Sequence, residues 1–73
     1  MAVVGPDGAP TESGAKILLA IQAGFVSPED IARYSSLAIS IVRSGLRDME
    51  RARLVRRSGE FYELDDKGAN ILS

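Results

Sequence analysis

Residues Ser27 to Gly68, SPEDIARYSSLAISIVRSGLRDMERARLVRRSGEFYELDDKG, decide the architecture, because they carry start and stop signals for four consecutive elements. Ser27 supplies a capping hydroxyl, Pro28 takes the first helical position, and Glu29 and Asp30 sit at the positive end of the helix dipole. Ile31 and Ala32 provide the inward residues of this helix. Tyr34, Ser35 and Ser36 then break the pattern before Leu37, with Ser35 and Ser36 making the turn. A further helix spans about Ala38 to Ala52. At 100° per residue its apolar members Ala38, Val42, Gly45, Leu46 and Met49 fall within roughly 60° of one line. Ser40, Ser44, Arg47 and Arg51 lie opposite that stripe, with Arg43 on one shoulder and Asp48 on the other. Two β-prone runs follow, Leu54 to Arg57 and Phe61 to Leu64, joined by Ser58, Gly59 and Glu60 as a hairpin with glycine at the positive-φ position. Two-residue alternation puts Tyr62 and Leu64 on one side and Phe61 and Glu63 on the other. Asp65 then caps a short final helix, with Ile71 and Leu72 expected to fold back on the core.

Upstream, Thr11 or Ser13 caps a first helix that runs to about Ala23. Ile17, Leu18, Ile21 and Phe25 recur along one face, and Gly24 supplies the positive-φ residue at its end. Residues 1–10, MAVVGPDGAP, contain two glycines and two prolines around a Pro-Asp-Gly turn signal, so the expectation there is a flexible tail without a regular element. The domain proper is then residues 11–73.

A length of 73 residues allows one small domain, of which only about 60% of the unfolded surface is buried on folding. No run approaches the roughly 20 apolar residues of a membrane span, and the N-terminus lacks the basic start and apolar core of a signal peptide. A cytoplasmic setting is expected, with no membrane partner. The chain has no cysteine and no histidine, so disulfides, thiolate sites and the commonest metal ligand and general base are missing, which weighs against an enzyme. Glu60, Glu63, Asp65 and Asp66 match no cation-binding loop and read as a solvated face plus one helix cap. No catalytic, cofactor-binding or metal-ligating residue is therefore assigned. The formal net charge is −1 and the pI about 5.2, but the charge is segregated. Seven arginines lie from Arg33 to Arg57 against Asp48 and Glu50, whereas the flanks are acidic apart from Lys16 and Lys67.

The PEDIA start at Pro28 to Ala32, Leu37 after the turn, Val42 and Leu46 four apart, Met49 with Leu54 and Val55, the LVRR strand and the YELDDKG stretch resemble the winged-helix transcriptional regulators of the MarR, ArsR and PadR kind. The resemblance covers about 45 of the 73 residues. It implies an α+β winged helix-turn-helix, a three-helix core followed by a β-hairpin wing and a short C-terminal helix. Three positions depart from the family pattern. Ser36 stands where glycine is usual in the turn, Ala38 where a capping serine or threonine is usual, and Arg53 where glycine usually ends the third helix. Each costs about 1 kcal/mol, and Ser35 or Ser36 is expected to take over as cap.

The resemblance implies sequence-specific binding of double-stranded DNA by a prokaryotic transcriptional regulator, with the third helix in the major groove and the wing on flanking backbone. Ser40, Arg43, Ser44 and Arg47 offer short donors near the helix start and cations along its length; arginine grips guanine O6 and N7 with two hydrogen bonds. Ile39 either touches a thymine methyl group or packs against a neighbouring chain. Arg56 and Arg57 project from the wing toward backbone or minor groove. Arg51 and Arg53, near the helix C-terminus, suit the dipole. A single copy offers few contacts, which points to a homodimer on a two-fold symmetric site. The alternative is a protein-protein interaction module in a transcription or RNA-processing assembly, favoured by the low pI and by Ile39 and Ile41 near the reading face.

Overall fold

The computed structural model describes residues 4–5 and 10–72. Three helices come first, α1 (Glu12–Gln22), α2 (Pro28–Ser35) and α3 (Ile39–Arg51), then an antiparallel hairpin of β1 (Val55–Ser58) and β2 (Phe61–Leu64), and finally α4 (Asp66–Leu72). The fold is α+β, and its element order is consistent with the winged-helix layout. No helix among the described residues is long and apolar enough to cross a membrane. Ile17, Leu18, Ala20 and Ile21 of α1, Ile31 of α2, Val42, Leu46 and Met49 of α3, and Leu54 and Val55 at the start of the hairpin form one core. Among the described residues no polar or charged residue is buried with them, so none of this core's burial is offset by desolvating a charge.

The helix starts follow local chemistry. Thr11 Oγ1 accepts from the Gly14 N–H at 3.4 Å and Ser27 Oγ from the Asp30 N–H at 3.3 Å, each satisfying one otherwise unpaired donor. Asp65 Oδ1 accepts from the Asp66 N–H at 2.8 Å. Ala38 caps α3 with extended backbone and no side-chain bond. The expected takeover by Ser35 or Ser36 does not occur, because Ser35 belongs to α2 and Ser36 is committed to ending it.

The helix ends share one geometry. After α1, Gly24 (φ 102°) lets the Phe25 N–H reach the Ala20 carbonyl and its own N–H reach that of Ile21. After α3, Arg53 (φ 62°) does the same, with Leu54 N–H to Met49 O at 2.9 Å and Arg53 N–H to Glu50 O at 3.1 Å. After α2, Ser36 (φ 57°) sends the Leu37 N–H to the Ala32 carbonyl. These are left-handed terminations that normally use glycine, and two of the three use a residue with a Cβ. Ser36→Gly and Arg53→Gly should each raise stability by about 0.5–1 kcal/mol, the αL penalty less the entropy that glycine returns to the unfolded chain. Thermal melts should rise by several degrees for each replacement, and a fall in Tm would show that these two side chains contribute more than strain.

Four expectations are corrected. Phe25 is exposed, because the chain leaves helical phase at Gly24, and its ring lies against Tyr34 instead, centroids 4.7 Å apart. Ala38 is exposed, since as an extended cap it falls outside the 100° progression of α3. Ile71 is exposed: Gly68 and Leu72, four apart, already occupy the inward line of α4, which turns Ile71 outward. The hairpin loop is two residues, Gly59 and Glu60, because β1 extends to Ser58 opposite Phe61. Positive φ at Gly59 (65°) and not at Glu60 is the type II′ pattern, which suits the right-handed twist of the strands. The flexible-tail expectation falls mostly on residues outside the described ones. Val4, which is described, pairs as an isolated bridge with Pro10 and packs against the core.

Candidate nucleic-acid interface

The exposed side of α3 is set by its core contacts. With Val42, Gly45, Leu46 and Met49 buried, the opposite line carries Ser40, Ser44, Arg47 and Arg51, all exposed. Arg43, Arg47 and Glu50 follow one another at spacings of four and three, so they share one shoulder of the helix. Ile39 is the first residue of α3 and is exposed.

That shoulder forms one wall of a groove of about 540 Å³. Ser27, Pro28 and Glu29 from the start of α2 close one end, and Arg57, Glu60, Phe61 and Tyr62 of the hairpin form the other wall. The hairpin is held there by a main-chain bond, Tyr62 N–H to Val26 O at 3.0 Å, which ties β2 to the residue before the α2 cap. Tyr62 and Leu64 also pack against the core. Arg43, Arg47 and Arg57 therefore converge on one concavity, interleaved with Glu29, Glu50 and Glu60.

The two wing arginines part company. Arg57 pairs with Tyr62 in the β-ladder and shares the inward face with Val55, whereas Arg56 pairs with Glu63 on the outer face. Arg56 Nε donates to Glu63 Oε2 at 3.1 Å. Arg43 Nη2 donates to Glu29 Oε1 at 3.4 Å, with both side chains about 60% exposed, a pair worth little to stability in water. Arg33 and Arg51 pair with Asp30 and Asp48 one turn earlier on their own helices. Arg47, Arg53 and Arg57 make no ion pair among the described residues. Of the candidate cations, Arg47 and Arg57 are thus the readiest to meet an anion, and Arg43 must first leave Glu29. Of the four acidic residues near the chain's end, Glu63 is taken by Arg56 and Asp65 by the cap of α4.

Ser40, Ser44, Ile39 and Arg56 are exposed but do not line the groove. Glu29, Glu50, Glu60 and Phe61 line it, and none of them is among the residues that the sequence nominates for DNA contact. Glu50 was legible, seven residues after Arg43 and three after Arg47 on one helix. Parity also separates Arg56 from Arg57 once Val55 is recognised as inward. The Glu29 to Arg43 pair, fourteen residues apart, carries no local signal. No protein-family model, curated protein or solved structure matches this chain.

Proposed function

We propose that the chain is a winged helix-turn-helix that binds double-stranded DNA, with α3 in the major groove and the hairpin on flanking backbone. The convergence of Arg43 and Arg47 from α3 with Arg57 from the hairpin carries this reading. Two separate elements present cations to one surface, and Ser40 and Ser44 lie exposed beside them as short donors for base edges. In this reading the protein is a prokaryotic transcriptional regulator of the MarR, ArsR and PadR kind, working in the cytoplasm as a homodimer on a two-fold symmetric site. It acts by occupancy and not by catalysis.

The test is fluorescence anisotropy on mixed-sequence duplex over a salt series, with the native chain beside the double variant Arg43→Glu, Arg47→Glu. Affinity that falls steeply with salt and is lost in the variant supports the reading; equal weak binding by both chains, or none, overturns it. A second variant probes the groove's carboxylates. Glu29→Gln removes the partner of Arg43, and should tighten binding a few-fold, because Arg43 then reaches its phosphate without first leaving a carboxylate and one negative charge is gone from the surface that meets the duplex. Unchanged affinity would show that the pair with Glu29 does not hold Arg43 back.

One observation favours a second reading, a winged-helix module for a protein partner. Leu19, Phe25 and Tyr34 are exposed on α1, the connection and α2, with Tyr34 lining one shallow depression beside Leu19 and another beside Phe25. Apolar surface of this kind is what a partner's core contact uses.

A further inference from the structure

Phe61 stands apart from the other aromatic side chains. The chain has two phenylalanines and two tyrosines. Phe25 and Tyr34 lie against each other, although both remain exposed, and Tyr62 packs against the core. Phe61 does neither among the described residues and is 51% exposed. It is the first residue of β2, directly after the Gly59 and Glu60 turn, and its cross-strand partner Ser58 is too small to cover the ring. It lines the groove that Arg57 also lines, although alternation along β2 sets it on the side of Glu63. An uncovered aromatic ring beside the turn of a hairpin whose Arg57 makes no ion pair among the described residues is the equipment of a side chain that enters a base stack. Minor-groove proteins insert such apolar wedges between base steps while neighbouring arginines hold the backbone.

Resting on the DNA-binding reading, we propose that Phe61 is the wing's specificity element, an apolar wedge that enters the minor groove beside the site read by α3 and partly unstacks one base step. Pyrimidine-purine steps unstack most readily, so the wedge selects duplexes with a flexible step, TA above all, at the wing's position. Arg57 neutralises the adjoining phosphate, and Phe61 adds a contribution that involves no counterion release. The wing thus discriminates by deformability, where α3 discriminates by hydrogen bonding.

The experiment compares the native chain with Phe61→Thr and Phe61→Leu by anisotropy over a salt series, on a duplex of repeated TA steps and an A-tract duplex of equal length and composition. Thr keeps the strand preference of position 61 without the ring, and Leu keeps an apolar wedge; thermal melts verify that both variants fold. Phe61→Thr should weaken binding to the TA duplex about tenfold, the low end of what base-aromatic contact delivers, with an unchanged salt slope and no remaining preference over the A-tract. Phe61→Leu should retain most of the preference. Native protein should raise the fluorescence of 2-aminopurine placed in the TA steps, and Phe61→Thr should not. Native-like binding by Phe61→Thr, or a loss accompanied by a shallower salt slope, overturns the wedge while leaving the DNA reading intact if the arginine double variant is inactive. Absence of salt-sensitive binding by the native chain overturns both.

Discussion

Replacing Arg43 and Arg47 together by glutamate should lower affinity for duplex DNA by at least about 30-fold, since each arginine at a DNA contact is worth roughly 1–3 kcal/mol. The salt slope should fall by about 2 as two phosphate contacts disappear. The arginines do not contribute equally. Arg47 makes no ion pair among the described residues, whereas Arg43 is shared with Glu29 at 3.4 Å. Single replacements by alanine should therefore cost more at 47 than at 43, and in the Glu29→Gln background the two losses should become similar. Both side chains are exposed and outside the core, so the melting temperature of the double variant should stay close to native, and binding is the quantity that moves. A double variant that binds duplex as well as the native chain removes α3 as the reading element.

Gly68→Ala should lower stability by about 1–3 kcal/mol, as other overpacking changes do, or roughly 5–20 °C in Tm for a chain of this size. The sign makes this prediction sharp, because alanine in place of a helical glycine ordinarily stabilises by about 1 kcal/mol. Here α4 crosses the peptide of Leu54 so closely that a Cβ at 68 would run into the Leu54 carbonyl oxygen. The same carbonyl accepts from the Asp65 N–H at 3.0 Å, so it cannot turn away without losing a bond. The only relief is for α4 to lift, which withdraws Leu72 from its place against the core. Thermal denaturation followed by circular dichroism measures the loss, and faster hydrogen exchange at Asp65 locates it. An unchanged or higher Tm would show that α4 is loosely held.

The local signals were the dependable ones. Ser27 with Pro28, Thr11, Gly24, Asp65 and the inward line of Val42, Leu46 and Met49 all act through backbone geometry within a few residues, and each does in the fold what its spacing indicates. Helical phase does not carry across a boundary. Phe25 and Ala38 fall on helical lines that the backbone has left or has not yet entered, and Ile71 turns outward beside the inward Leu72 because neighbours on a one-sided helix diverge by 100°. The loop shortened by one residue because Ser58 found a ladder partner. At the candidate site, the exposure of Ser40, Arg43, Ser44 and Arg47 follows from the helix period alone. Which arginines are already engaged does not, because Glu29 reaches Arg43, and Glu63 reaches Arg56, only after the fold is assembled. Ser36 and Arg53 were recognisable as unusual residues at their positions, and their positive φ supplies the physical meaning of that departure.

The bond from the Tyr62 N–H to the Val26 carbonyl has an evolutionary consequence. It joins main-chain atoms, so every residue except proline at position 62 can make it, and no residue identity at 26 is required. The distance between the hairpin and the start of α2, which closes one end of the groove beside α3, is thereby inherited independently of the side chains that face outward. Ser40, Ser44, Arg47, Arg57 and Phe61 can drift one at a time while the spacing of the two contact points stays constant. Under the proposed DNA-binding reading, a lineage carrying this frame can acquire new target preferences by single substitutions, without passing through an unfolded ancestor.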